Sequence, residues 1–193
     1  MTPEQVAENQ RWRLLGAAAE VLVDDGHVST TSTRVSKRAG VSPATFYRHF
    51  DNVGDCLSAA YDAASDCVLG IVSEACEEEQ IEWRRRLGVA VASILRFLAV
   101  DPATAHLLGP EAAAGEAAVA RARRGLIERL GGKLGAGRAL RQAGAAEPPA
   151  GIERLLVAGA FAICSERIAA GDADRLPELA PALTEMLSAP YVR

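Results

Sequence analysis

Aromatic residues are scarce in this 193-residue chain, at 5%, although 49% of it is hydrophobic. Its apolar content is therefore mostly alanine, leucine and valine, which suits packed helices better than sheets. No strand pattern stands out, and no internal repeat. Near the C-terminus the longest uncharged apolar run, Leu155 to Cys164, covers ten residues, where a spanning helix needs about 20. A secretory leader is not expected either, because Glu4, Gln5, Glu8 and Asn9 stand where its apolar core would be. The expected compartment is the cytoplasm, with no membrane partner. The four cysteines (Cys56, Cys67, Cys76, Cys164) contain no Cys-x-x-Cys pair, so they are expected to be free thiols rather than zinc ligands. Cys56 and Cys67 fall on one helix face and are expected in the core. There is no glycine-rich phosphate loop, no His/carboxylate spacing for a metal, and no histidine next to Ser165 in sequence. We therefore expect no catalytic centre, no metal and no cofactor.

Acid is missing from one place. Between Gly26 and Phe50 there is no Asp or Glu, while Arg34, Lys37, Arg38 and Arg48 give +4. Residues 1–50 sum to +1 and residues 51–193 to −5, within a net charge of −4. A basic patch on an acidic body turns one end of a molecule toward a phosphate backbone.

Inside that patch, RAGVSPATFYRHF (38–50) reads as the second half of a helix-turn-helix. Gly40 suits a turn needing positive φ. Ser42 is a good N-cap, and Pro43 fits the first helical position. The short helix that follows carries Thr45, Tyr47, Arg48 and His49 as polar candidates, with Phe46 and Phe50 anchoring its other face. A helix this short is not stable alone. Held out by a scaffold, it can probe a major groove.

The remaining pattern is helical throughout. The first helix spans about 3–25, with Trp12, Leu15, Ala19 and Leu22 on one stripe and Gly26 closing it. The second spans 32–39 with Thr31 as cap, the third 43–50, and the fourth 53–76, with Leu57, Tyr61, Val68 and Val72 turned inward. Glu77-Glu78-Glu79 marks a solvated junction. A fifth helix, 82–100, is apolar nearly all round and is expected to be buried on most sides. A short helix to Leu108 follows, then a break at Gly109-Pro110 and a long helix to about Leu130. The Gly/Ala/Pro-rich stretch 131–151 reads as a mobile connection with room for a partial helix in its middle. An eighth helix, 152–170, has two apolar faces, one for its own core and one for a second subunit. The ninth, 176–187, has a seam of Leu176, Leu179, Leu183 and Leu187.

Several of these segments resemble the tetracycline-repressor-like transcriptional regulators. They are the AAAEVL run (17–22) with Gly26, Thr30-Thr31, Val35 and AGVSPATFYRHF (39–50). CLSAAYD (56–62) and LPELAPALTEMLSAPYV (176–192) are similar to one large subgroup. The resemblance implies an all-α chain of about nine helices. An N-terminal three-helix helix-turn-helix domain (1–52) would bind double-stranded operator DNA. A C-terminal helical domain (53–193) would bind a small-molecule effector, and the last two helices would form a homodimer.

Carried over by position, Thr31, Ser32 and Thr33 would meet phosphates, and Ser42, Pro43, Ala44 and Thr45 would lie nearest base edges. Tyr47 would touch phosphate or a thymine methyl, Arg48 a guanine or phosphate, and His49 a phosphate. Two departures lower the expected DNA affinity. Val53 stands where the family usually has a lysine, so backbone amides at that helix start would have to replace it. Ser32 replaces a more usual apolar residue.

Trp83, Phe97 and Phe161 are core or effector-pocket aromatics, with His106 and Ser165 as polar candidates for the same ligand. The basic residues from Arg121 to Arg141 form either a solvated face or an anion contact. The resulting function is a ligand-responsive regulator, a repressor released from a palindromic operator by a small molecule. The alternative is a helical interaction protein that keeps the fold with weak or no operator binding.

Overall fold

The computed structural model describes residues 2–77, 82–109, 117–140 and 147–191. Among them lie nine α-helices and no strand. Helix α1 (Pro3–Asp25) opens on a capping box: the Thr2 hydroxyl accepts from the Gln5 amide while the Thr2 amide donates to Gln5 Oε1. Then follow α2 (Ser32–Ala39), α3 (Pro43–His49), α4 (Val53–Glu77), α5 (Trp83–Val100) and α6 (Pro102–Leu108). The last three are α7 (Ala117–Leu134), α8 (Ile152–Ala169) and α9 (Ala180–Ser188). Glu78 and Glu79 of the acidic junction, Pro110, Arg141, the centre of the 131–151 connection and Val192 lie outside the described residues.

The chain packs as two compact units. One holds the described residues of Met1–Ser65 and Ala103–Arg123, the other those of Asp66–Pro102 and Arg124–Arg193. In the first, α2 and α3 pack on α1 and on each other. Leu14, Ala18, Val21, Val35, Phe46, Leu57 and Tyr61 are wholly or almost wholly buried there. The sequence stripe on α1 was set too early, since Trp12 is 57% exposed and the buried stretch runs from Leu14 to Leu22. Cys56 is a core residue as expected, but Cys67 is exposed.

In the second unit, α9 and a 3-10 segment (Ala173–Leu179) pack on α5 and α8. The expected ninth helix therefore starts four residues late. Pro177 and Pro181 have no N–H for the regular helical ladder, and the α-helix begins only with Pro181 in its first turn. Leu176, Leu183 and Leu187 are buried within the subunit. Helix α5 is less enclosed than its composition predicts. Ala90, Val91, Leu95 and Leu98 are buried, while Val89 and Val100 are exposed. On α8 only Val157 and Ile168 are buried, and Leu155 is 69% exposed.

The connection from residue 131 is built where mobility was expected. Helix α7 continues to Leu134 and a 3-10 segment follows to Leu140. Glycine there permits close packing: a Cβ on Gly137 would fall 2.6 Å from Trp83 and 2.9 Å from Tyr191. By length and composition α4 could cross a bilayer, with a mean hydropathy of 1.2. Cys56, Leu57, Tyr61 and Val68 are nevertheless buried in the protein, as in a core helix.

Candidate DNA-binding surface

Local chemistry fixes the turn between α2 and α3. Thr31 caps α2, its hydroxyl accepting from the Arg34 amide at 3.3 Å. Gly40 ends that helix in the left-handed region (φ 63, ψ 39), and the Val41 amide donates back to the Ser36 carbonyl at 3.0 Å. Ser42 then caps α3 by accepting from the Thr45 amide at 3.1 Å, with Pro43 at the first helical position. Phe46 is fully buried and stacks at a tilt on Phe50, ring centroids 5.8 Å apart. One face of α3 is thereby pinned to the core. The other presents Ser42, Pro43, Ala44, Tyr47 and Arg48 to solvent.

Each polar candidate on this face has a local partner. The Tyr47 hydroxyl lies 3.0 Å from Ser32 Oγ, which ties the start of α2 to α3. Ser32, unusual for the family, therefore has a partner, while Thr31 and Thr33 are exposed beside it. Arg48 donates to Gln10 Oε1 at 3.4 Å and to Thr45 Oγ1 at 3.3 Å, both neutral groups. Thr45, expected near base edges, is only 9% exposed and its hydroxyl is turned toward Ser42 and Arg48. It supports Arg48 rather than standing on the open face. Burial first, then the charges of Arg48 and Arg11, lower the His49 imidazole below its ordinary value.

Sequence reasoning missed the contribution of α1. The Arg13 guanidinium donates to the carbonyls of Ala39 and, at 3.2 Å, Gly40, so it clasps the turn itself. Arg11 lies over the Phe50 ring, 4.8 Å from its centroid. No local sequence signal could reveal these contacts, because they join residues 26 or more positions apart.

Acids from α1 also enter the basic stretch. Arg34 pairs with Asp25 at 2.7 Å, and Arg38 pairs with Glu20 at 3.1 Å and Asp24 at 2.6 Å. Donating hydrogen bonds to Asp24 and Glu20 holds the Arg38 guanidinium above its already high value. At the start of α4, the expected substitute for the missing lysine is weak. Asn52 Oδ1 takes the Asp55 amide at 2.9 Å, and the Asp55 carboxylate adds negative charge there. That end is poorly suited to an anion.

The effector candidates divide between the units. Trp83, Phe97, Phe161 and Ser165 belong to the second and His106 to the first. Trp83 packs edge-on against Tyr191 at 5.3 Å, and the Ser165 hydroxyl donates to the Phe161 carbonyl at 2.8 Å. Beside Trp83, Arg138 bridges Glu153 at 2.5 Å and also donates to the carbonyls of Pro148 and Pro149. Tyr191 donates to the same Glu153 at 3.0 Å. Within the basic stretch, Arg129 reaches Asp66 at 3.5 Å and Lys133 reaches Ser73 at 3.2 Å.

Comparison with known proteins matches the segment that builds this surface. Residues 14–60, from the first buried leucine of α1 into α4, match the family described as bacterial regulatory proteins, tetR family. An HTH-type transcriptional regulator of Mycobacterium tuberculosis is 36% identical over 62 residues, which is 32% of this chain and 32% of that protein. The sequence likeness thus spans about a third of either length. The HTH-type transcriptional activator FasR of Mycolicibacterium smegmatis is 31% identical over 94 residues, 49% of this chain and 42% of its own. Among solved structures, the transcriptional regulator FadR of Bacillus subtilis, in complex with stearoyl-CoA, superposes with a TM-score of 0.77 at 18% identity. That match covers 93% of this chain and 98% of FadR, and what it shows is the fold.

Proposed function

We propose that this chain, which belongs to the tetR family, is a ligand-responsive DNA-binding transcriptional regulator. It acts as a homodimeric repressor that a small molecule releases from a palindromic operator. The observation that carries this is the open face of α3, with Ser42, Pro43, Ala44, Tyr47 and Arg48 exposed around a capped turn while Phe46 pins the other face. A rigid, hydroxyl- and guanidinium-bearing helix of this size fits a major groove. We assign DNA binding to residues 1–52, with Thr31, Ser32, Thr33, Tyr47 and His49 on phosphates and Arg48 on a base edge or phosphate. Effector binding and dimerisation are assigned to 53–193.

The under-covered face of α8, with Leu155 exposed, supports a second subunit there. The half-buried Phe97 and Phe161 support a mainly apolar effector, as does the acyl ligand named for FadR. Effector and operator are then coupled sites, each weakening the other by the same factor.

The alternative, a helical interaction protein with weak or no operator binding, draws on the α1 acids that pair with Arg34 and Arg38 and on the acidic start of α4. One experiment separates the two. A duplex is selected by the protein from random palindromes, and binding is measured across a salt series. A selected consensus bound with a steep salt dependence supports the regulator. Salt-insensitive or sequence-blind binding supports the alternative.

A further inference from the structure

Tyr61 stands in α4 with no exposed surface, and its hydroxyl has no hydrogen-bond partner. Buried hydroxyls are nearly always paired, so an orphaned one asks for a missing partner. Its backbone carbonyl accepts from Ser65 at 2.8 Å, which fixes the turn that carries the ring but leaves the phenol unanswered. Most buried side chains that α4, α6 and α7 bring to this unit are aliphatic, among them Leu57, Ala60, Ala64, Leu107, Leu108 and Val119; the buried polar ones, Ser65 and Cys56, donate to the backbone carbonyls of Tyr61 and Leu14. Alanines precede Tyr61 and follow it by one turn, so the bulk beside the ring is small.

We propose that the Tyr61 hydroxyl is the polar anchor for the carboxylate of an aliphatic acid. This deepens the effector reading above and rests on it. A phenol that donates and does not ionise is the right group for an acceptor oxygen. Burial pushes Tyr61 well above its ordinary value, so it keeps its proton. Arg123 of α7 acts on it in the opposite direction, and its positive charge in the same unit favours an anionic acceptor over a neutral one. Asp62 adds the opposing negative charge, but from an exposed position where water screens it. The aliphatic surroundings select the rest of the ligand.

The test uses the full-length protein without DNA and two probes of equal chain length, decanoate and 1-decanol, followed by calorimetry. Wild type should bind decanoate saturably and about tenfold or more tighter than decanol, the scale of one charge-assisted hydrogen bond. Tyr61→Phe should fold with unchanged or higher Tm, because it removes only an unpaired hydroxyl. It should lose the decanoate preference, with decanol affinity falling by much less, because the bond lost there is neutral. Arg123→Gln should reduce the same preference without touching decanol. Saturable decanoate binding that Tyr61→Phe leaves intact overturns the anchor. So does a wild type that binds the two probes equally, or neither. Operator affinity of the Tyr61→Phe protein is read separately. It should be unchanged: intact decanoate preference in Tyr61→Phe overturns the anchor alone, whereas a wild type with no salt-dependent operator binding counts against the regulator reading.

Discussion

Replacing Gly40 by alanine tests whether Arg13 and the turn act as one device. The residue sits at φ 63, where an alanine costs about 1 kcal/mol or more. Its new Cβ would also fall 2.6 Å from Arg13 Nη2, closer than real atoms approach. The mobile end of the arginine gives way rather than the backbone, so the bonds to the Ala39 and Gly40 carbonyls are lost. For a partly solvated pair that is worth about 1 kcal/mol. Gly40→Ala should therefore destabilise by about 2 kcal/mol and Arg13→Ala by about 1 kcal/mol. In the Arg13→Ala background, Gly40→Ala should cost only its backbone strain, about 1 kcal/mol. The double variant is then destabilised by about 2 kcal/mol, about 1 kcal/mol less than the additive expectation. Urea unfolding at one fixed protein concentration, with equal m values, measures the cycle. Additivity within about 0.3 kcal/mol would show that Arg13 does not brace the turn.

Tyr47→Ala and Arg48→Ala should each weaken binding to the selected palindrome by about 1–3 kcal/mol with little change in Tm; an unchanged double variant refutes the placement of α3. If Arg11, Lys37 and Arg48 each neutralise one phosphate, log K should fall against log salt with a slope of about −2.7 per protomer, and Arg48→Ala should make that slope shallower if its contact is to phosphate. Leu155→Glu, on the exposed face of α8, should yield folded monomers by sedimentation; a Leu155→Glu dimer as tight as wild type removes α8 from the interface. Leu183→Glu should instead unfold the chain, because Leu183 is buried in its own subunit. Hydrogen bonding from Arg138, aided by Tyr191, lowers the Glu153 carboxyl to about 2. Its folded value lies below its unfolded one, so its stabilisation is present above the ordinary carboxylate value and is lost as pH falls toward 2. Glu153→Gln should flatten the fall in Tm below pH 4.5, and an identical acid profile would refute the coupling.

The helix-turn-helix was legible because its information is local. Caps at Thr31 and Ser42, Pro43 at a first position and Gly40 in the left-handed region each act within four residues. The ends of α2 and α3 are therefore legible to within a residue. Helix α9 was less legible. Its leucine seam has the right spacing from Leu176, but Pro177 and Pro181 delay the regular ladder to Ala180. Periodicity also could not tell which subunit a seam faces, and Leu183 and Leu187 face their own. The stretch after Leu130 misled by composition. Glycine there reads as freedom, yet at Gly137 it serves the approach of Trp83 and Tyr191, residues far off in sequence.

Charge shows the same limit most sharply. Counted along the chain, residues 26–50 carry no acid and four bases. Folding places Glu20, Asp24 and Asp25 of α1 within 3.1 Å of Arg34 and Arg38, so two of those four bases enter any encounter already paired. Such exposed pairs are weak, and a phosphate can exchange for the carboxylate. Their presence lowers the long-range field that would steer DNA without blocking a close contact. The polar groups tied only to neutral partners are then Arg48, on Gln10 and Thr45, and the Tyr47–Ser32 hydroxyl pair. These cluster where α3 meets the start of α2, so operator recognition should depend on geometry at that junction more than on net charge. On the proposed function, the arginine that clasps the turn between α2 and α3 should for that reason be a stronger determinant of binding than the basic count of the segment.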